Sequence, residues 1–121
     1  MILEGNFYTI RSLNATENGF SGVVELAADH PIYAGHFPEQ AVVPGVCTLA
    51  IVRECVERLL GTEGEFVAIK ECKYVSAVLP RPELTLALDF ELNSEGVLKG
   101  TVMECDQQQL VLKLKATFQK R

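Results

Sequence analysis

The sequence lacks a long apolar run, an internal repeat and a low-complexity segment. The longest uncharged apolar stretch, residues 41–52, contains Pro44 and Gly45 and is too short to span a bilayer. The amino-terminal residues also lack the basic region and apolar run of a secretory signal. At 121 residues, the chain fits one domain, residues 1–121, with a modest core. We expect a globular protein of the cytoplasm.

The sequence also lacks clustered metal ligands. It has only two histidines and four cysteines, and no C-x-x-C pair. The cysteines lie apart in apolar surroundings: Cys47, Cys55, Cys72 and Cys105. Zinc sites need ligands at close spacing, and disulfides need an oxidising compartment. We therefore expect reduced, mostly buried thiols, and neither a metal nor another cofactor.

Basic residues are too few for a nucleic-acid-binding protein. Eleven Lys and Arg stand against sixteen Asp and Glu, which gives a net charge of −5, whereas phosphates require a basic face. A local basic patch is still compatible with this balance. Its candidate members lie close together in the sequence: Arg53, Arg58, Lys70, Lys73 and Arg81.

Alternating apolar and polar residues predict six strands. The clearest alternation runs from Leu84 to Leu92, where a leucine or phenylalanine stands at every second position. The predicted strands are Phe7–Leu13, Phe20–Ala28, Phe66–Val78, Leu84–Leu92, Val97–Cys105 and a last strand around Leu112–Phe118.

One helix, Val46–Leu60, follows an irregular segment, Asp29–Gly45, that contains three prolines and both histidines. Prolines exclude a regular helix or ladder there, and long irregular segments on a rigid scaffold often carry functional sites. Gly61 is the expected helix cap. The predicted apolar stripe comprises Leu49, Val52, Val56, Leu59 and Leu60. The predicted opposite side comprises Cys47, Ala50, Glu54 and Glu57.

A single apolar helix among six antiparallel strands predicts an α+β fold. The economical arrangement is a curved antiparallel sheet of about six strands wrapped around one central helix, about residues 45–60. Periodicity alone does not choose among the α+β folds of this kind.

Three short motifs resemble those of the beta-hydroxyacyl-acyl-carrier-protein dehydratases. Residues 30–38 read HPIYAGHFP, close to the family's HPxFxGHFP, and residues 44–46 read PGV. Residues 73–80, KYVSAVLP, resemble the family strand KFRxPVxPGD. The resemblance implies a hot-dog fold and an obligate dimer with its active site at the dimer interface. It places the catalytic histidine at His36 and an oxyanion-binding backbone amide at Gly45.

The acid of the family is missing from this chain. The family has Glu or Asp on the helix fourteen residues after the histidine, and this position is Ala50. Glu54, one helical turn later on the same face, is the candidate replacement. Alternatively, Glu54 pairs with Arg58 or faces solvent. Glu57 is a weaker candidate, and the acid can also come from another chain.

The remaining site residues follow from the needs of thioester chemistry. His36 is the expected base, because imidazole titrates near neutrality. Backbone amides at Gly45 and Val46 would stabilise the negative charge on the thioester oxygen. Phe37 is expected to form a pocket wall or part of the core, and Ala50 leaves space for the longer Glu54 to reach back toward His36. Cys47 is either a packed small residue or a thiol activated by the helix terminus.

Three functions are compatible with these residues. The first is dehydration of a 3-hydroxyacyl thioester in fatty-acid or related acyl-chain biosynthesis, with His36 as base and Glu54 or a partner's carboxylate as acid. The second is hydrolysis of an acyl thioester. The third is a non-catalytic acyl-binding or scaffold subunit of a hetero-oligomer. The expected partners are an acyl carrier protein or coenzyme A thioester, and either a second copy in a homodimer or higher homo-oligomer or an acid-bearing paralogue in a heterodimer.

Overall fold

The computed structural model describes residues 3–27, 43 and 45–121. Within these residues the predicted order of elements is confirmed: two strands, a helix and four strands. Their bounds are β1 Tyr8–Ala15, β2 Gly19–Leu26, α1 Gly45–Leu60, β3 Gly64–Tyr74, β4 Thr85–Leu92, β5 Val97–Glu104 and β6 Gln109–Lys120.

The six strands form one antiparallel sheet in the order β1-β2-β4-β5-β6-β3. Hairpin turns join β1 to β2, β4 to β5 and β5 to β6. The strand that follows the helix is β3. Because β2 pairs with β4, β3 lies at the opposite edge of the sheet from β1 and pairs with β6. The edge strand β3 thus begins just beyond the carboxyl end of α1 and ends beside its amino end, where Tyr74 contacts Gly45.

The core lies between the helix and one face of the sheet. Alternate residues of β2 and β4 are buried, as their sequence pattern predicted. The rings of Phe20 and Phe90 stack across these two strands with centroids 5.5 Å apart. The curved sheet around one helix agrees with the α+β prediction and with the hot-dog resemblance.

The buried side of α1 differs from the predicted stripe. Leu60 is 37% exposed, and Leu49 and Leu59 are only half-buried. The buried helix residues are Cys47, Thr48, Ile51, Val52, Glu54, Cys55 and Val56. The prediction followed the helical spacing of the apolar residues, but the amino-terminal segment packs on the side of Glu54 and buries it. No helix among the described residues is long and apolar enough to cross a membrane.

The strand predicted for Phe66–Val78 ends earlier, at Tyr74. Beyond it, Val75 N donates to Val111 O at 2.8 Å. The Val78 carbonyl then accepts from Val43 N at 2.7 Å, just before the helix. After this last bond to β6 the chain leaves the ladder, and Val78 pairs instead with the segment that enters α1.

Candidate functional site

Two of the predicted site residues, His36 and Phe37, lie outside the described residues, as does His30. The residues that flank this segment are held by backbone hydrogen bonds. Ala27 N donates to Phe7 O at 2.9 Å, and Val43 N donates to Val78 O at 2.7 Å. The assignment of His36 as base and of Phe37 as pocket wall stays a prediction.

A cleft of about 490 Å³ lies at the amino end of α1. The first amides of a helix have no acceptor within the helix, and the helix dipole is positive at this end. The first turn carries no acidic side chain. Gly45 and Val46, the two predicted oxyanion-binding residues, therefore lie together beside a cavity. The lining residues are Val43, Gly45, Val46, Thr48, Tyr74, Val75, Ser76, Ala77, Val78 and Val111.

Tyr74 packs directly on the start of the helix. Two of its ring carbons, Cε1 and Cζ, are each 2.8 Å from the position that a Cβ on Gly45 would occupy. A larger residue at position 45 would collide with the ring, so glycine is required here for close approach. Sequence reasoning did not identify Tyr74 as a site residue. One feature of the sequence could have identified it: Tyr74 stands where the family strand KFRxPVxPGD has phenylalanine.

Cys47 is a packed residue in this structure. It is only 2% exposed, and burial raises the pKa of its thiol. The alternative of a thiol activated by the helix terminus required a lowered pKa. Burial acts in the opposite direction, because it disfavours the charged thiolate. The packed-residue alternative agrees with the burial.

Ala50 is half-buried on α1. Its methyl group cannot exchange a proton, so the helix position of the family acid is chemically inert in this chain. The nearest carboxylates along the helix are Glu54 and Glu57, one and two turns further on.

Glu54 is a buried carboxylate with a full set of donors. It is 6% exposed, and its Oε1 accepts from Leu3 N, Glu4 N and the Tyr8 hydroxyl, each at 3.0 Å. Its Oε2 accepts from Leu3 N at 2.9 Å. Arg53 Nη2 lies 3.6 Å from Oε2. The carboxylate therefore holds the amino-terminal segment to the helix.

The simpler alternatives for Glu54, a pair with Arg58 or a solvent-facing position, are wrong. Arg58 pairs instead with Glu4, because the amino-terminal segment crosses the helix at this level. Glu57 accepts from Arg53 Nη1 at 2.8 Å and from Gly64 N at 2.9 Å. Both helix carboxylates are thus engaged in contacts that stabilise the fold.

Burial and the neighbouring negative groups also affect Tyr8. Desolvation, followed by the charges of Cys55 and Glu54 and the hydrogen bond to Glu54, raises the pKa of the Tyr8 phenol far above its usual value. The Tyr8 hydroxyl therefore remains a donor to Glu54 at physiological pH. Sequence reasoning missed this contact, since no local pattern links residues 46 positions apart.

The predicted basic patch is largely neutralised within the chain. Arg53 and Arg58 pair with glutamates, and Arg81 pairs with Glu104 at 2.7 Å and with Asp106 at 2.8 Å. Two other members of the patch, Lys70 and Lys73, lie exposed on the edge strand β3. The exposed lysines of the predicted patch therefore lie on β3, whereas two carboxylates balance Arg81.

Sequence comparison identifies relatives of this chain. The model of a family described as ApeI-like, ApeI dehydratase, matches residues 12–115. The chain belongs to this family. It is 30% identical over 104 residues to the 3-hydroxyacyl-(acyl-carrier-protein) dehydratase FabZ of Macrococcus caseolyticus, covering 78% of this chain and 72% of the relative. It is also 30% identical over 99 residues to FabZ of Chlamydia caviae, covering 74% of this chain and 64% of that relative.

Solved structures with similar folds support the same assignment of architecture. A chain of the dehydratase heterocomplex ApeI:P from Xenorhabdus doucetiae superposes on this ApeI-like chain with a TM-score of 0.70 at 21% identity, covering 93% of this chain and 96% of that one. A hypothetical thioesterase with coenzyme A from Streptococcus pneumoniae gives 0.58 at 14% identity, covering 94% and 87%. At these identities the likeness shows the shared hot-dog fold.

Proposed function

We propose that this ApeI-like chain is a subunit of a 3-hydroxyacyl-thioester dehydratase that supplies the histidine and relies on a second chain for the acid. In the proposed reaction, His36 removes a proton from Cα of the thioester. The bond from Cβ to the hydroxyl oxygen breaks, and the acid protonates the departing oxygen to give water and the enoyl thioester. Backbone amides at Gly45 and Val46 would stabilise the negative charge that develops on the thioester oxygen.

Two observations support the proposal. The described residues that line the cleft at the amino end of α1 carry no charge, and the helix carboxylates Glu54 and Glu57 are held by hydrogen bonds within the fold. Glu54 accepts hydrogen bonds from three separate donors, which favours a structural carboxylate over one that cycles a proton. Losing a general acid commonly reduces the rate by ~10²–10⁴. An acid from outside the chain would complete the site without disturbing Glu54.

The edge strand β3 is suited to contact with a second chain. One side of β3 pairs with β6, and the strand stands last in the sheet order. Val67 and Ile69 on this strand are about half exposed, and apolar edge strands readily pair with other chains. The similar Xenorhabdus doucetiae chain comes from a heterocomplex. We therefore infer assembly through β3, either with a second copy or with an acid-bearing paralogue.

The decisive experiment restores the missing acid. Ala50→Glu, with Ala50→Gln as the matched control, is assayed with 3-hydroxyacyl thioesters of coenzyme A and of acyl carrier protein. Enoyl product and free thiol are measured separately. We expect enoyl product from Ala50→Glu alone, and its loss when His36→Ala is added. The wild-type chain should form product only when an acid-bearing paralogue is supplied.

Other outcomes would contradict the proposal in distinguishable ways. Product from the pure wild-type chain that is lost in Glu54→Gln would instead establish Glu54 as the acid. Free thiol without enoyl product would indicate a thioesterase. Acyl-thioester binding without turnover, both in folded Ala50→Glu and in the wild-type chain mixed with the paralogue, would indicate a non-catalytic subunit.

A further inference from the structure

Tyr74 stands where the edge strand meets the helix. It is the last residue of β3 and lines the cleft together with Gly45 and Val46. Its Cζ is 2.8 Å from the position of a Cβ on Gly45, and the hydroxyl oxygen is one bond beyond Cζ. The ring therefore packs against the start of α1, and its hydroxyl belongs to the same cleft as Gly45 and Val46.

The cleft is suited to an uncharged ligand. None of its described lining residues is charged. Val75 and Val78 contribute apolar walls, while the polar groups are hydroxyls and backbone amides. Burying a charged ligand group here would leave it without a counter-charge, which is costly. A thioester, with a neutral carbonyl and an apolar acyl chain, matches this lining.

The Tyr74 hydroxyl is available as a donor. Partial burial, followed by interaction with the Cys72 thiol, raises the pKa of Tyr74 to about 12, so the phenol is protonated at physiological pH. Cys72 lies two residues earlier on the same face of β3. A thiol sulfur is a weak acceptor, so a ligand oxygen can replace it as the partner of the hydroxyl at small cost.

We propose that the Tyr74 hydroxyl donates a hydrogen bond to the acyl thioester at the amino end of α1, as a second donor beside the backbone amides of Gly45 and Val46. This inference rests on the proposed function and extends it. It adds a side chain that contacts the substrate, whereas the helix terminus supplies only backbone amides. A donor aimed at the thioester oxygen strengthens its contact as charge develops there. Its removal should therefore affect turnover more than binding.

The test is Tyr74→Phe in the Ala50→Glu background, assayed with 3-hydroxyhexanoyl-coenzyme A. Phenylalanine keeps the ring on Gly45 and removes only the hydroxyl. We expect kcat/KM to fall about tenfold or more, toward the ~10²–10³-fold typical of a lost oxyanion donor, with most of the loss in kcat. Thermal stability should change little.

The matched control is Tyr8→Phe in the same background. This change also removes one tyrosine hydroxyl, but that hydroxyl binds Glu54 and is absent from the cleft lining. We expect Tyr8→Phe to lower the melting temperature and to leave kcat/KM unchanged. If Tyr74→Phe leaves kcat/KM unchanged in an active enzyme, the role of Tyr74 is rejected while the proposed function stands.

A binding experiment separates the remaining outcomes. If Ala50→Glu forms no enoyl product, the proposed dehydration by a restored site fails. Titration calorimetry with hexanoyl-coenzyme A then compares the wild-type chain with Tyr74→Phe. Binding weakened about two- to fivefold, as expected for the loss of one modest ground-state hydrogen bond, would support Tyr74 as a ligand donor. Equal binding, or no binding by either protein, would overturn it.

Discussion

Both carboxylate oxygens of Glu54 accept a hydrogen bond from one backbone amide, that of Leu3, at 3.0 and 2.9 Å. The same carboxylate accepts from Glu4 N and from the Tyr8 hydroxyl. A buried carboxylate is stable only when it is paired or fully hydrogen-bonded. Glu54 meets this condition by ordering the amino-terminal segment, and the segment in turn covers the helix.

The first prediction concerns stability. In Glu54→Gln, the side-chain amide nitrogen is a donor that faces the Leu3 and Glu4 amides, so at least one buried N–H loses its acceptor. We expect the free energy of unfolding to fall by about 2–3 kcal/mol, since hydrogen bonds to charged groups contribute about 1.5–3 kcal/mol. Denaturant unfolding measures the change. Glu91→Gln, on the exposed face of β4, is the control and should remain near the wild-type value.

The prediction also separates two roles for Glu54. If Glu54 is structural, its substitution lowers the stability of the protein. The turnover number of the folded fraction then stays within a few fold of the wild-type value. A Glu54→Gln protein as stable as wild type that forms no enoyl product with the paralogue present, under conditions where wild type does, would contradict the structural assignment and return Glu54 to the reaction.

The local spacing of apolar residues and glycines predicts most of the fold. It predicts few of the contacts that define the site. The alternation of Leu86, Leu88 and Phe90 locates β4 because one sheet face is buried. Gly61, with a φ of 71°, ends the helix because glycine accepts that conformation without strain. The partners of Glu54, in contrast, are 46 to 51 residues away. Only the packing of the amino-terminal segment brings them together, and no periodicity encodes that.

The second prediction concerns alkaline pH. Burial, followed by the charges of Glu4 and Glu54, raises the pKa of the Cys55 thiol from 9.0 to about 12. Between these values the unfolded chain loses a proton that the folded chain keeps. The stabilising contribution is therefore fully present below pH 9 and decreases as the pH rises, by about 1.4 kcal/mol per unit. Cys55→Ala should lower stability at every pH but reduce this slope.

Urea unfolding between pH 8.5 and 9.5, an interval that brackets the ordinary thiol pKa of 9.0, tests the slope below the ordinary tyrosine pKa of about 10. Cys105→Ala, at a half-buried position, serves as the comparison and should retain the wild-type slope. Identical slopes in wild type and Cys55→Ala would show that the thiol is not the group responsible.

The third prediction concerns Cys47. A buried thiol with a raised pKa is a poor nucleophile, because the thiolate is the reactive form. In the native protein we expect iodoacetamide to alkylate the half-buried Cys72 and Cys105 well before Cys47, as mapped by mass spectrometry. Cys47→Ala should retain enoyl formation in the Ala50→Glu background. Rapid alkylation of Cys47 together with loss of product in Cys47→Ala would reinstate it as a nucleophile.

The fourth prediction concerns the carrier. Acyl carrier proteins are acidic, and this chain has a net charge of −5, so association depends on local positive charge. Lys70 and Lys73 are exposed on β3, whereas two carboxylates already balance Arg81. Lys70→Glu with Lys73→Glu should slow carrier association and reduce its salt dependence, because steering acts mainly on the association rate. Gel filtration of the same variant should show that assembly through β3 is unchanged. Arg81→Gln should leave that rate unchanged. A slower rate in Arg81→Gln but not in the lysine variant would place the carrier at the Arg81 turn, where association would have to open the pairs with Glu104 and Asp106.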